Sequence, residues 1–145
     1  MSNDATSAKD LARRLVEAFG KPDDIVALLA EEATWWITPA TPPEVMRSLS
    51  EGREEIRGNM NRVFGMLYDP ATVEAEVHDN IGDERVGAVR ITLRAKTAGG
   101  GDYKNEYTLW VHAENGLITK VFEFVDTGEA LAQIQAAGVD LAPSK

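Results

Sequence analysis

From residue 73 onward the chain is a succession of strand-length runs broken only by turn residues. Val73 to Ile81 is the first run, with a turn at Gly82-Asp83-Glu84. Val86 to Lys96 is the next, followed by the loop Ala98-Gly99-Gly100-Gly101-Asp102. Tyr103 to Ala113 and Leu117 to Asp126 complete the series, joined through Glu114-Asn115-Gly116. Asn-Gly between two alternating runs is a strong hairpin signal, because both residues tolerate the positive φ of a tight turn. Such a series predicts consecutive antiparallel strands.

Helices precede it. Ala8, Leu11, Ala12, Leu15, Val16 and Phe19 repeat at helical spacing. Thr6 or Ser7 can cap the start and Gly20 the end. Pro22 suits a first helical position, and a second helix runs on through Ile25, Val26, Leu28 and Leu29. Ala33 to Thr38 is β-branched and aromatic, hence a strand, and Pro39, Pro42 and Pro43 turn it into a loop. A third helix runs from Gly52 to about Leu67, with Ile56, Met60, Val63, Phe64 and Leu67 as its apolar stripe, and Asp69-Pro70 breaks it. Residues 128 to 137 predict a closing helix. The whole reads as one α+β domain over residues 1–145, its core at about 8–135: helices on one face of a curved, mostly antiparallel sheet.

Composition narrows the function classes. The chain has 145 residues and a net charge of -9, so phosphate backbones are repelled and no nucleic-acid partner is expected. It has no cysteine, which excludes disulfides, thiolate metal sites and cysteine nucleophiles. His78 and His112 lack a second ligand at useful spacing, so no metal or other cofactor is expected. No apolar run is long enough for a membrane span, and Met1-Ser2-Asn3-Asp4 does not look like a signal peptide. A cytoplasmic protein without membrane contact is the expectation.

Period-two alternation sorts the last hairpin by face. Tyr103, Asn105, Tyr107, Leu109 and Val111 share one side with Thr119, Val121, Glu123 and Val125. The opposite side carries Trp110 and His112 with Phe122 and Phe124. A sheet with helices on one side leaves these large aromatics in water unless something covers them. The expected cover is a second copy of the chain, packed on Trp110, Phe122 and Phe124. A terminal segment is the alternative.

Asn105-Glu106-Tyr107, Glu114-Asn115-Gly116-Leu117-Ile118 and Phe122-Glu123-Phe124-Val125-Asp126-Thr127 resemble the closing hairpin of SnoaL-like proteins of the nuclear transport factor 2-like superfamily. Glu31-Glu32-Ala33-Thr34-Trp35-Trp36, Gly52 and Gly82-Asp83 are similar to further landmarks of that family. The resemblance implies a cone, its sheet wrapped around the three N-terminal helices, with a pocket at the wide end and a frequent homodimer through the outer face. By similarity, the base of a ketosteroid isomerase falls on Ile37, which cannot take a proton, and the first helix has no tyrosine. For an epoxide hydrolase of this fold, one acid falls on Glu123 and the arginine on Arg90. The second acid falls on Thr92, and the water-holding pair on Trp35 and Ile37.

The candidate catalytic set is therefore Glu123, Tyr107, Asn105 and Arg90, in a pocket walled by Trp35, Ile37, Met60, Phe64, Leu109 and Val125. An inward Glu123 among apolar neighbours has a raised pKa unless an arginine or hydrogen bonds hold its charge. Bonding of Glu123 to Asn105 and Tyr107 within a plain core is the bland alternative. Two function classes stay open. One is cofactor-free acid/base catalysis on a small hydrophobic, oxygen-bearing molecule. The other is a non-catalytic ligand-binding or dimerisation module.

Overall fold

The computed structural model describes residues 6–39, 48–97 and 99–136, with the backbone alone at 63–67 and 134. Helix α1 spans Ala8–Glu17, α2 Pro22–Val26, α3 Arg53–Leu67 and α4 Thr127–Ala136. Strands are β1 Leu29–Ile37, β2 Leu49–Glu51, β3 Glu74–Gly82, β4 Val86–Lys96, β5 Asp102–Glu114 and β6 Leu117–Val125. The α+β architecture is the expected one. Two boundaries move: α2 stops at Val26, and Leu29 already belongs to β1, where it pairs with Ile118.

Capping follows the sequence. The Ser7 hydroxyl accepts from the Asp10 amide at 3.1 Å at the start of α1. The Asp126 carboxylate accepts from the Glu129 amide at 2.9 Å at the start of α4, the capping role its strand-end position implies. The free amides at the head of α1 donate to the turn between β3 and β4, Ala8 to the Glu84 carbonyl at 3.1 Å and Lys9 to that of Asp83 at 3.2 Å. Gly87 on β4 permits this docking, since a Cβ there would lie 2.5 Å from the Ala8 carbonyl oxygen.

The six strands form one sheet in the order β2-β1-β6-β5-β4-β3. Every neighbouring pair is antiparallel except β1 and β6, which run parallel. Irregularities in register fall between Val77 and Asp79, between His112 and Ala113, and between Leu29 and Thr34. Such bulges bend a sheet and sharpen its twist. α1 packs on β3, β4 and β5, and α3 on β1 and β2. Leu11, Leu15, Ile25, Ile56, Ile91, Leu93, Leu109 and Ile118 are sealed between the layers. Among the described residues no helix is long and apolar enough to cross a membrane.

The two faces separate as alternation requires. Tyr103, Tyr107, Leu109 and Val111 are buried on the inner face. On the outer face Trp36, Phe122 and Trp110 stand in one register row across β1, β6 and β5. Trp110 is 43% exposed and Phe124 45%. Trp36 leans on Phe124 with ring centres 5.3 Å apart, and His112 on Phe122 at 5.7 Å.

Candidate functional site

Glu123 sits two residues from the end of β6, flanked by Ile37 of β1 and Leu109 of β5 in the ladder. Its phase on the strand turns it inward with Val121 and Val125, and it is only 8% exposed. It is the one charged residue buried among the described residues. Trp35, whose side chain shares that face, donates its indole N–H to Glu123 Oε1 at 2.8 Å. Oε2 has no hydrogen-bond partner among the described residues. No fully enclosed side-chain oxygen or nitrogen among them goes unpartnered, so Oε2 borders space that water can enter.

Burial pushes the Glu123 carboxyl up from 4.5 to about 7, and the Trp35 hydrogen bond opposes the rise. No charged side chain among the described residues contributes to the shift. Three phenols lie within electrostatic reach. The Tyr107 hydroxyl is 2.7 Å from that of Tyr103 and 3.4 Å from that of Tyr68. Burial drives the pKa values of Tyr68 and Tyr107 well above 10 and raises that of Tyr103, so all three stay neutral hydrogen-bonding groups. Phe19 meets Tyr107 edge-on, with ring centres 6.5 Å apart.

The backbone around Glu123 is pinned by Thr38, just past β1. The Thr38 amide donates to the Glu123 carbonyl at 3.0 Å, and its hydroxyl accepts from the Val125 amide at 3.1 Å. The parallel pairing of β1 with β6 is thereby extended beside the carboxylate.

Of the expected residues, Glu123, Tyr107, Trp35, Leu109 and Val125 line the inner face together, and Ile37 and Met60 are half-buried against the same core. The Phe64 side chain lies outside the described residues. Glu123 is bonded to neither Asn105 nor Tyr107. Asn105 serves the strand end instead, donating to the Asp126 carbonyl at 3.1 Å and, at 3.4 Å, to the Tyr103 hydroxyl. Arg90 is a correction. Its neighbours Val89 and Ile91 are buried, so Arg90 points to the outer face, 47% exposed, and pairs with Asp79 at 2.8 Å and Glu106 at 3.5 Å. It cannot hold the charge of Glu123. His78 is an exposed histidine at the β3 bulge, its Nε2 2.7 Å from the Thr92 hydroxyl.

Sequence reading missed Tyr68 and Thr38 as parts of the site: Tyr68 lies past the stripe of α3, and Thr38, the last residue of the expected strand, falls just past β1 and acts through its amide and hydroxyl. Tyr103 carried a usable signal, since it shares the strand phase of Tyr107. Among the described residues no group of three or more histidines, aspartates or glutamates could hold a metal ion. An open cleft of about 770 Å³ lies elsewhere, at the turn end of the sheet, where Arg85 and Lys120 are offset by Glu84 and Glu114. It contains none of the buried groups described above.

Comparison with known proteins places this fold in a family. A nuclear transport factor 2-like protein of unknown function from Burkholderia pseudomallei superposes with a TM-score of 0.75 at 20% identity, over 89% of this chain and 98% of that one. A protein of ketosteroid isomerase-like fold from Catenulispora acidiphila, in complex with trimethylamine, gives 0.72 at 15% identity, over 97% and 100%. IdmH from Streptomyces antibioticus, a candidate polyketide cyclase, gives 0.69 at 18% identity, over 90% and 99%. At these identities the likeness is one of fold. No curated protein matches the sequence significantly. The SnoaL-like domain family matches residues 12–121, and the chain belongs to that family.

Proposed function

We propose that the protein binds a small hydrophobic, oxygen-bearing molecule inside the cone, of polyketide, terpenoid or steroid-like character, and that Glu123 exchanges a proton with it. The observation that carries this reading is the buried carboxylate itself. One oxygen is held by Trp35, the other borders open space, and its pKa of about 7 lets it give or take a proton near neutral pH. The hydroxyls of Tyr107, Tyr103 and Tyr68 supply neutral groups that can bond to a ligand oxygen. Trp35, Leu109 and Val125 supply apolar wall. No cofactor is invoked. The chemistry would be of the isomerase, cyclase or hydrolase type, in keeping with IdmH as a neighbour in fold.

A second reading, ligand binding without chemistry, is favoured by Ile37 standing where the resemblance puts an isomerase base. One experiment separates the two. Apolar ketones, epoxides and lactones are screened by thermal shift, since a ligand of the native state raises the melting temperature by mass action. Compounds that bind are then followed for turnover with wild type and Glu123→Gln. Turnover lost with binding kept supports the proton carrier. Turnover unchanged by Glu123→Gln overturns it, and binding with no turnover by wild type leaves the binding module.

The chain is further proposed to pair with a second copy through the outer sheet face. Trp110 and Phe124, exposed beside Trp36 and Phe122, support this reading.

A further inference from the structure

We propose that the space bordering Glu123 also takes a small organic ammonium ion, whose charge is recognised by the carboxylate and by surrounding aromatic faces. The inference rests on the reading that Glu123 borders a ligand space, and it adds a second class of ligand to it.

The argument begins with what Glu123 lacks. An ionised carboxylate held out of water needs an opposite charge or several hydrogen bonds. Among the described residues the Glu123 carboxylate has one hydrogen bond, from Trp35. Among the described residues the elements packed around it offer no cation: β1 contributes Trp35 and Ile37, β5 contributes Tyr103, Tyr107 and Leu109, β6 contributes Val121 and Val125, and the residue after α3 is Tyr68. Among the described residues the titratable groups that feel its charge are Tyr68, Tyr103 and Tyr107, all neutral. The arginine expected here, Arg90, is committed to Asp79 and Glu106 on the opposite face. A ligand that brings its own positive charge would complete the pair, whereas an anionic ligand would meet an unshielded carboxylate.

The remaining surroundings suit an alkylammonium ion. Tyr68 and Tyr103 are tilted against each other with ring centres 5.1 Å apart, and Phe19 and Tyr107 meet edge-on. With Trp35 these make five aromatic side chains on the carboxylate's side of the sheet. Ring faces attract a cation whose charge is spread over alkyl groups and whose hydration is weak, and the attraction is larger out of water.

The test compares choline with its neutral carbon isostere 3,3-dimethylbutanol by calorimetric titration across the pH range around 7. Choline affinity is expected to fall by about tenfold for each pH unit below the Glu123 pKa and to level off above it, because only the ionised protein is competent. The isostere should show no such gain with rising pH. Glu123→Gln, which keeps the Trp35 hydrogen bond, should abolish the pH dependence and weaken choline by more than about tenfold at alkaline pH, leaving the isostere within about twofold. The wild-type pH profile carries the test even if that variant folds poorly. Isostere binding with choline no tighter at alkaline pH overturns the ammonium inference and spares the cavity. Choline binding indifferent to pH overturns it as well. Failure of both compounds to bind overturns this inference together with the ligand space on which it rests.

Discussion

The indole N–H of Trp35 lies 2.8 Å from Glu123 Oε1, across the parallel pairing of β1 and β6, and it is the one hydrogen bond this buried carboxylate receives among the described residues. Tryptophan is a donor only, so the bond favours the ionised acid while the apolar surroundings favour the protonated one. Burial wins, and the balance falls near neutrality.

That balance predicts a pH-dependent stability. A carboxyl whose pKa rises from 4.5 to about 7 on folding holds its proton more tightly in the folded state. Its contribution to stability is full below pH 4.5 and is lost as the pH rises through 7. The loss amounts to roughly 3 kcal/mol at alkaline pH, at about 1.4 kcal/mol per pH unit. Glu123→Gln removes the titration and keeps a hydrogen-bond acceptor for Trp35. Urea unfolding should find the variant close to wild type under acidic conditions and more stable under mildly alkaline ones. Equal stability of the two proteins on the alkaline side would mean that the ionised carboxylate is better solvated than its burial implies.

Trp35→Phe keeps an aromatic, though smaller, side chain and deletes the donor. Hydrogen bonds to charged groups are worth about 1.5–3 kcal/mol, so the Glu123 midpoint should climb by about one unit or more. Carbon-detected NMR titration of the side-chain carboxyl reads this directly. A midpoint that stays put or falls would show that the indole does not hold the charge.

Tyr107→Phe removes the hydroxyl that sits between those of Tyr103 and Tyr68. Loss of a buried hydrogen-bonding group should cost about 1–3 kcal/mol of stability. Any ligand that bonds to this hydroxyl through oxygen should bind more weakly, while a purely hydrocarbon ligand should not distinguish the variant. Denaturant midpoints with paired binding isotherms check both halves. An unchanged midpoint would show that the phenol cluster is not cohesive.

How far the sequence could be read is visible at particular residues. Alternation along the hairpin puts Glu123, Tyr107 and Leu109 on the same side because side-chain direction has a period of two, and one slipped residue would have reversed them all. The same rule applied to β4, with Val89 and Ile91 inward, turns Arg90 outward. The contrary expectation rests on the family resemblance, which puts an arginine of the site at this position. β2 is three residues long and carries no pattern; it exists because β1 offers it an edge, pairing Trp35 with Ser50. The parallel pairing of β1 with β6 joins residues far apart in the chain, and nothing local encodes it. Tyr68 and Thr38 reach the site from just beyond a helix and a strand, where periodicity has ended.

The outer face supplies the last prediction. Trp36, Phe122 and Trp110 form a row across three strands, with Phe124 beside them, and the exposed rings of Trp110 and Phe124 give this face an apolar patch that a partner could cover. A specific interface needs about 800 Å² from each partner, and a sheet face of three strands can supply an area of that order. Two copies related by a twofold axis would bring the same row onto itself, which requires no complementary patch elsewhere. Sedimentation velocity at micromolar concentration should therefore show a dimer. Trp110→Lys should shift it to monomer with its far-ultraviolet circular dichroism unchanged, since the substituted side chain points away from the core. A wild-type protein that sediments as a monomer throughout the micromolar range would leave these aromatics without the second copy proposed for them.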